Sequence, residues 1–232
     1  MKKKVVAAIM SVALVAAVGI GGTLAYLSAQ SEVVNNTFTV GTGFVPDEDG
    51  NKGIVLDEAK VMDDGTVDAT QRVDGNQTYP ELMPGDSKLK DPTVRFVAGS
   101  VESYVFVKVE GTQKAEGNYL TVDGWNTQIW QKVADLDGEP FGTTGDGYYM
   151  YVGPLADENH VVDLDAEEYG EGTDVELGYI FNSISFDNVG NEEFDQVSPD
   201  FNDTAIKVSA CAVQAGEGTT WEDGFAEATF NE

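Results

Sequence analysis

The sequence predicts an all-β fold, an antiparallel β-sandwich with one short C-terminal helix. Three observations predict it. From Tyr26 onward the apolar residues recur with a period closer to two than to 3.6. The apolar runs are short and are separated by turns rich in Gly and Asp, in a chain of 232 residues that holds 26 Gly. No stretch alternates strand and helix in the manner of a βαβ unit, so roughly eight short strands remain to be arranged as a jelly roll or an immunoglobulin-like sandwich.

Ahead of that pattern stands a different one. Lys2-Lys3-Lys4 is followed by an uncharged apolar run over residues 5–20 and by Gly21-Gly22-Thr23-Leu24-Ala25. Basic start, apolar centre and small-residue exit are the parts of a secretory signal peptide, and they place cleavage between Ala25 and Tyr26. A retained signal anchor is the competing reading. It requires ~20 apolar residues to cross the bilayer core, and this run is shorter, with Gly19, Gly21 and Gly22 crowding its end. The expected organisation is a signal peptide over residues 1–25, an N-terminal strand segment over 26–43 and a β-sandwich domain with acidic loop insertions over 44–232. No second long apolar run follows, and the tail Asn231-Glu232 lacks an apolar-plus-basic ending, so no membrane association is expected after cleavage.

Within the exported part, residues 34–42 (VNNTFTVGT) are rich in β-branched side chains and end in glycines, which suits a strand. Residues 53–56 form a second short apolar run, whereas 57–77 carry several Asp and Gly with little periodicity and read as a surface insertion. In Leu82-Met83-Pro84-Gly85-Asp86 the Pro presets φ and the Gly can take the positive φ of a type II turn, with a strand to follow. Strands are then expected at 93–97 and, after the Gly99-Ser100 break, at 101–110. There Val101, Ser103, Val105, Val107 and Val109 share the core face, and Glu102, Tyr104, Phe106 and Lys108 the other. Further strands are expected at 128–133, 148–152 and 179–186, with an irregular acidic stretch at 156–172. The last strand is 205–214, with Ile206, Val208, Ala210 and Ala212 on one face. One helix is expected, over 219–228, from its Thr caps, its acids in the first turn and the helical spacing of Trp221, Phe225 and Ala228.

Charge and rare residues exclude several functions. With 13 Lys and Arg against 41 Asp and Glu the net charge is −28, which argues against nucleic acid as a partner, since such affinity comes mostly from basic side chains displacing counterions. A single Cys, Cys211, permits no intrachain disulfide, and a single His, His160, excludes sites built on two imidazoles. An exported chain without disulfides must be held by its core alone.

Four pieces, taken in order, carry a family resemblance. They are Gly21-Gly22-Thr23-Leu24-Ala25-Tyr26-Leu27 followed by Asn35-Asn36-Thr37-Phe38-Thr39-Val40-Gly41; Met83-Pro84-Gly85-Asp86 ahead of a β pair; Tyr148-Tyr149-Met150-Tyr151 with Gly153-Pro154-Leu155; and Ile206-Lys207-Val208-Ser209-Ala210 with Ala212-Val213-Gln214-Ala215 and the terminal helix. In these the chain resembles the TasA/camelysin-like family of exported Gram-positive proteins. It departs from the family at Val97-Ala98-Gly99-Ser100, where relatives carry an Asn-x-Gly type of turn, and in its loops 57–77 and 156–172. The resemblance implies a jelly-roll-like subunit, cleaved by a SipW-type signal peptidase, that forms head-to-tail homopolymers in the extracellular biofilm matrix, where other matrix proteins are further partners. In such fibres the freed N-terminal segment of one subunit completes a neighbour's sheet. Here Val34, Thr37, Phe38, Thr39 and Val40 would be the donor residues, with Phe38 and Val40 on one face and Thr37 and Thr39 on the other. An extended segment satisfies the unpaired N–H and C=O groups of a sheet edge, and contacts that do not close make filaments.

The rival readings are a monomeric cell-surface adhesin or binding module and, because part of the family is described as metalloproteases, an enzyme. Around Asn159-His160-Val161 only one imidazole is offered, so catalytic zinc would need carboxylates such as Glu158 or Asp163 as further ligands. No catalytic or cofactor-binding residue is therefore assigned. The acidic groups at 47–51, 63–65 and 135–139 could ligate Ca²⁺, but none has EF-hand spacing, and solvated turns account for them. Asn-x-Thr triplets at Asn35, Asn76 and Asn202 would be glycan acceptors only in a host with that machinery. N-terminal sequencing of the exported chain is expected to read Tyr26-Leu27-Ser28; a product that starts at Met1 would mean a retained anchor.

Overall fold

The computed structural model describes residues 28–30, 43–80, 82–117, 119–136, 142–189 and 205–230. The expected antiparallel sandwich with a short C-terminal helix is what it shows. The strands are β1 (Ser28–Gln30), β2 (Ile54–Val61), β3 (Val67–Val73), β4 (Ser87–Leu89), β5 (Thr93–Val97), β6 (Ser103–Glu110), β7 (Leu120–Asp123), β8 (Trp130–Ala134), β9 (Gly147–Tyr151), β10 (Asp174–Tyr179), β11 (Ser183–Phe186) and β12 (Lys207–Gln214). They form a five-stranded sheet in the order β1-β12-β6-β9-β8, a four-stranded sheet β10-β5-β2-β3 and a three-stranded sheet β4-β11-β7. Every strand pair is antiparallel.

One core joins the three sheets. Val105, Val107 and Val109 of β6, Ala210 and Ala212 of β12, and Tyr149 and Tyr151 of β9 meet Ile54, Val94, Phe96 and Leu177 of the four-stranded sheet and Val122, Ile184 and Phe186 of the three-stranded one. The valine face of β6 is thus the core face, as its alternation predicts. The other face is not solvated, however. Tyr104, Phe106, Met150, Cys211 and Val213 make a second apolar layer, covered by the helix Trp221–Glu227 and by Ala228 and Phe230. Phe225 stacks obliquely on Phe106, with ring centroids 5.5 Å apart, and edge-on against Tyr148 at 5.3 Å. The three neighbouring tyrosines of β9 therefore divide between layers, because alternate strand residues point to opposite faces.

That helix starts where its caps require. Thr220 and Asp223 form a reciprocal capping box, in which the Asp223 carboxylate accepts from the Thr220 N–H at 3.0 Å. It is not the sole helix, contrary to the sequence expectation. Short helices α1 (Thr112–Gly117) and α2 (Ala166–Tyr169) also form, each nucleated by a side-chain carboxylate at its start; the C-terminal helix is α3. Asp146 accepts from Thr112 N–H at 2.6 Å, and Asp165 from Glu167 N–H at 2.7 Å. Both carboxylates come from residues whose local sequence shows no helical period.

Two more expectations are corrected. Residues 57–77 are not a loop insertion; they supply most of the β2–β3 hairpin, whose charges are matched across the sheet. Asp57 accepts from Arg72 Nη2 at 2.8 Å and from Arg95 Nε at 2.9 Å, Arg72 Nη1 reaches Asp91 at 2.5 Å, and Lys90 pairs with Glu58 at 2.7 Å. Where β2 loses its backbone partners, side chains take their place: Asp91 accepts from Ala59 N–H at 2.8 Å, and Gln77 accepts from Val61 N–H at 2.6 Å while donating to Ala59 C=O at 2.7 Å. The second correction concerns 179–186, which is two strand ends, β10 and β11, joined through the fully buried Ile180 and Phe181. The turn before β4 is as expected, with Gly85 at φ +89° and Asp86 N–H donating to Met83 C=O at 2.9 Å.

Gly224 decides how closely α3 sits on the sheet. A Cβ there would lie 2.6 Å from Tyr104 Cδ2, and that ring is held in place by its hydroxyl, which donates to Thr219 C=O at 2.9 Å. Alanine favours a helix interior by about 1 kcal/mol over glycine, but overpacking costs about 1–3 kcal/mol. Gly224→Ala is expected to lower stability by about 1 kcal/mol in denaturant unfolding; an increase would show that the ring gives way freely.

Candidate functional site

The site is the edge strand pairing at the start of the five-stranded sheet. β12 (KVSACAVQ) is built from small residues because both its faces are covered, one by the shared core and the other by α3. On one side it pairs with β6 over eight successive residues, from Lys207↔Glu110 to Gln214↔Ser103, without a break in register. On its other side lies β1, with Ser28↔Val213, Ala29↔Ala212 and Gln30↔Cys211. The three β12 residues opposite β1 are fully buried, whereas Lys207 is exposed and Val208 and Ser209 are half-buried. A buried strand edge left without partners would cost about 1–3 kcal/mol for each orphaned backbone group, and β1 supplies partners at residues 211–213.

The remaining sheet edges are of another kind. β3, β8 and β10, the other outer strands of the two larger sheets, each pair through a register shift: at Ala59/Lys60 of its partner β2, at Lys132/Ala134 and at Glu176/Gly178. β4 and β7, which flank the small sheet, have three and four residues. Bulges and shortness blunt an edge against foreign strands. Beneath β1 lies a long strand that keeps regular register with its other neighbour, and β1 itself begins a few residues after the expected cleavage point at Ala25-Tyr26.

Ala25, Tyr26, Val34, Thr37, Phe38, Thr39 and Val40 lie outside the described residues. The strand described in the N-terminal segment is Ser28–Gln30, which sequence reasoning did not single out, since Ser, Ala and Gln have no preference for strands. No local signal could have found it. Its conformation is set by β12.

The acidic loops resolve as turn chemistry. Asp47 accepts from Asn51 N–H at 2.7 Å and from its side-chain amide at 2.8 Å, and Asp64 accepts from Thr66 N–H at 3.0 Å and from its hydroxyl at 2.6 Å. The Thr66 bonds hold the Asp64 carboxyl below the usual carboxylate range. Asp135 is paired with Lys132, while residues 137–139 of that group lie outside the described ones. Among the described residues no three His, Cys, Asp or Glu side chains converge as a metal site would require. His160 occupies a tight turn at φ +67°, its N–H donating to Asp157 C=O at 3.0 Å; the Asp157 carboxylate accepts from Val161 and Asn159 N–H groups, each at 2.8 Å, and Glu158 and Asp163 are exposed. The backbone bond from Val161 is the main cause that keeps the Asp157 carboxyl low. His160 and its neighbours are thus placed as turn-forming groups.

Comparison of the chain with family models, with curated proteins and with solved structures finds no match.

Cys211, opposite Gln30 in β1, has no accessible surface, and burial pushes its thiol up to about 11 against a smaller opposing effect of the Thr229 backbone. A thiol at its ordinary value near 8.5 would hold about two hundredfold more thiolate at pH 8. Native Cys211 is expected to resist iodoacetamide at pH 8 and to react fully in denaturant; rapid alkylation of the native chain would mean that the β12 region opens readily.

Proposed function

We propose that the chain is a secreted, non-enzymatic structural subunit of extracellular fibres of a bacterial biofilm matrix, polymerising head to tail by exchange of its N-terminal strand. The observation that carries this reading is the place of β1: the segment set free by signal removal is the one that closes an otherwise unblunted sheet edge. Pairing of that type transfers between chains without new chemistry, because the same N–H and C=O groups are satisfied whichever copy supplies the strand. Each subunit then offers one tail and one edge at different places, and such a contact propagates instead of closing. The resemblance to TasA/camelysin-like proteins supports the matrix setting and a SipW-type peptidase as the processing partner.

A second reading is a monomeric surface adhesin or binding module. The pairing of β1 within its own chain favours it, since a subunit closed on itself needs no neighbour. Deletion separates the two. A chain lacking residues 26–40 is expected to fold, to lose some thermal stability and to stay monomeric by sedimentation and negative-stain microscopy under conditions in which the full exported chain forms fibres. Fibres of normal appearance from the truncated chain would rule strand exchange out.

A further inference from the structure

We infer that β1 is a self-plug: each lone subunit closes its own β12 edge with Ser28–Gln30 and is thereby held in a form that cannot accept a neighbour. The inference rests on the fibre reading and adds its regulation. β6 pairs with all eight residues of β12 on one side, and on the other side β1 lies opposite Cys211, Ala212 and Val213, which are fully buried, as is Ala210. A strand from another copy that takes this place makes the same antiparallel pairs, so it engages Cys211, Ala212 and Val213 only as β1 leaves them.

Tethering sets the balance. A strand on a short connection to its own site acts at an effective concentration in the millimolar range, far above that of a dilute secreted protein. Self-closure wins until the local subunit concentration rises or until an acceptor already lies at a fibre end. Growth should thus have a threshold, and dilute exported chains should persist as closed monomers. A free peptide that carries the plug sequence should compete for the same edge.

The test locks the plug. Ala29 and Ala212 stand directly opposite each other, at a separation that antiparallel partners share with disulfides. In a Cys211→Ser background, the A29C/A212C chain is oxidised to fix β1 on β12 and compared with its reduced form by sedimentation at rising concentration. The oxidised form is expected to yield at least about tenfold less polymer, and reduction should restore it. Equal polymer from both forms would overturn the inference, because polymerisation would then proceed with β1 in place. In parallel, a labelled peptide of residues 26–34 is titrated into the exported chain, the locked chain and a chain lacking 26–34. The expected order is tight binding to the deleted chain, at least about tenfold weaker binding to the intact chain and none to the locked one. Equal affinity for intact and deleted chains would overturn the plug even if the cysteine variant fails to fold. A wild-type chain that stays monomeric at every concentration while the peptide keeps the expected order would leave the plug standing and remove the fibre reading.

Discussion

The backbone of β12 must be hydrogen-bonded on both sides where it is buried, and the rest of the molecule is arranged around that requirement. β12 is the last strand in the sequence, yet it lies inside the five-stranded sheet, between β6 and β1. Its inner side is filled by β6, which follows the Gly99-Ser100 break and keeps register over the full length of both strands. Its outer side takes the first strand among the described residues. A segment near the N-terminus and the last described strand therefore close one another, and under the proposed function removal of the leader would bear directly on the sheet.

The second condition on β12 is that it be thin. With the shared core below and α3 above, a β12 of large side chains would push one layer away, and Ser209, Ala210, Cys211 and Ala212 meet that condition. Gly224 meets it from the other side by letting the α3 backbone approach the Tyr104 ring. Cys211 belongs to this packing as a small apolar residue, which is how buried free cysteines ordinarily behave. The outer face of the sheet, polar in a simple sandwich, is apolar here because a helix has replaced solvent.

Much of this was legible in the sequence, and what was not has physical reasons. The period-two valines of β6, the small-residue face of β12, the Pro84-Gly85 turn and the Thr220 cap are local signals, and each gave its element. The β2–β3 hairpin was hidden because its strands carry Asp57, Glu58, Asp68 and Arg72, which resemble a solvated loop until Asp57, Asp91, Arg72 and Arg95 are brought together by pairing. The helices at Thr112–Gly117 and Ala166–Tyr169 were hidden because each is shorter than the two turns over which a periodic pattern can be read. At the candidate site the sequence pointed to the N-terminal segment and to strand pairing, but β-propensity drew attention to residues 34–40. Ser28-Ala29-Gln30 has no propensity to betray it, and an edge is a property of the assembled sheet, so neither the acceptor strand nor its register can be read from a single strand.

Charge gives a final reason to expect a backbone-mediated contact between copies of this chain. Without the three lysines of residues 1–25 the net charge of −28 becomes −31, so copies of the cleaved chain repel one another, and the repulsion is screened only beyond about 10 Å at 0.1 M salt. A contact built from side-chain ion pairs would need a basic surface, which the remaining ten Lys and Arg, several of them already engaged with Asp57, Glu58, Asp91 and Asp135, do not supply. Ladder hydrogen bonds are neutral and short-ranged. Under the proposed function a contact of this kind would leave the charged surface facing outward, where its repulsion opposes unspecific clumping.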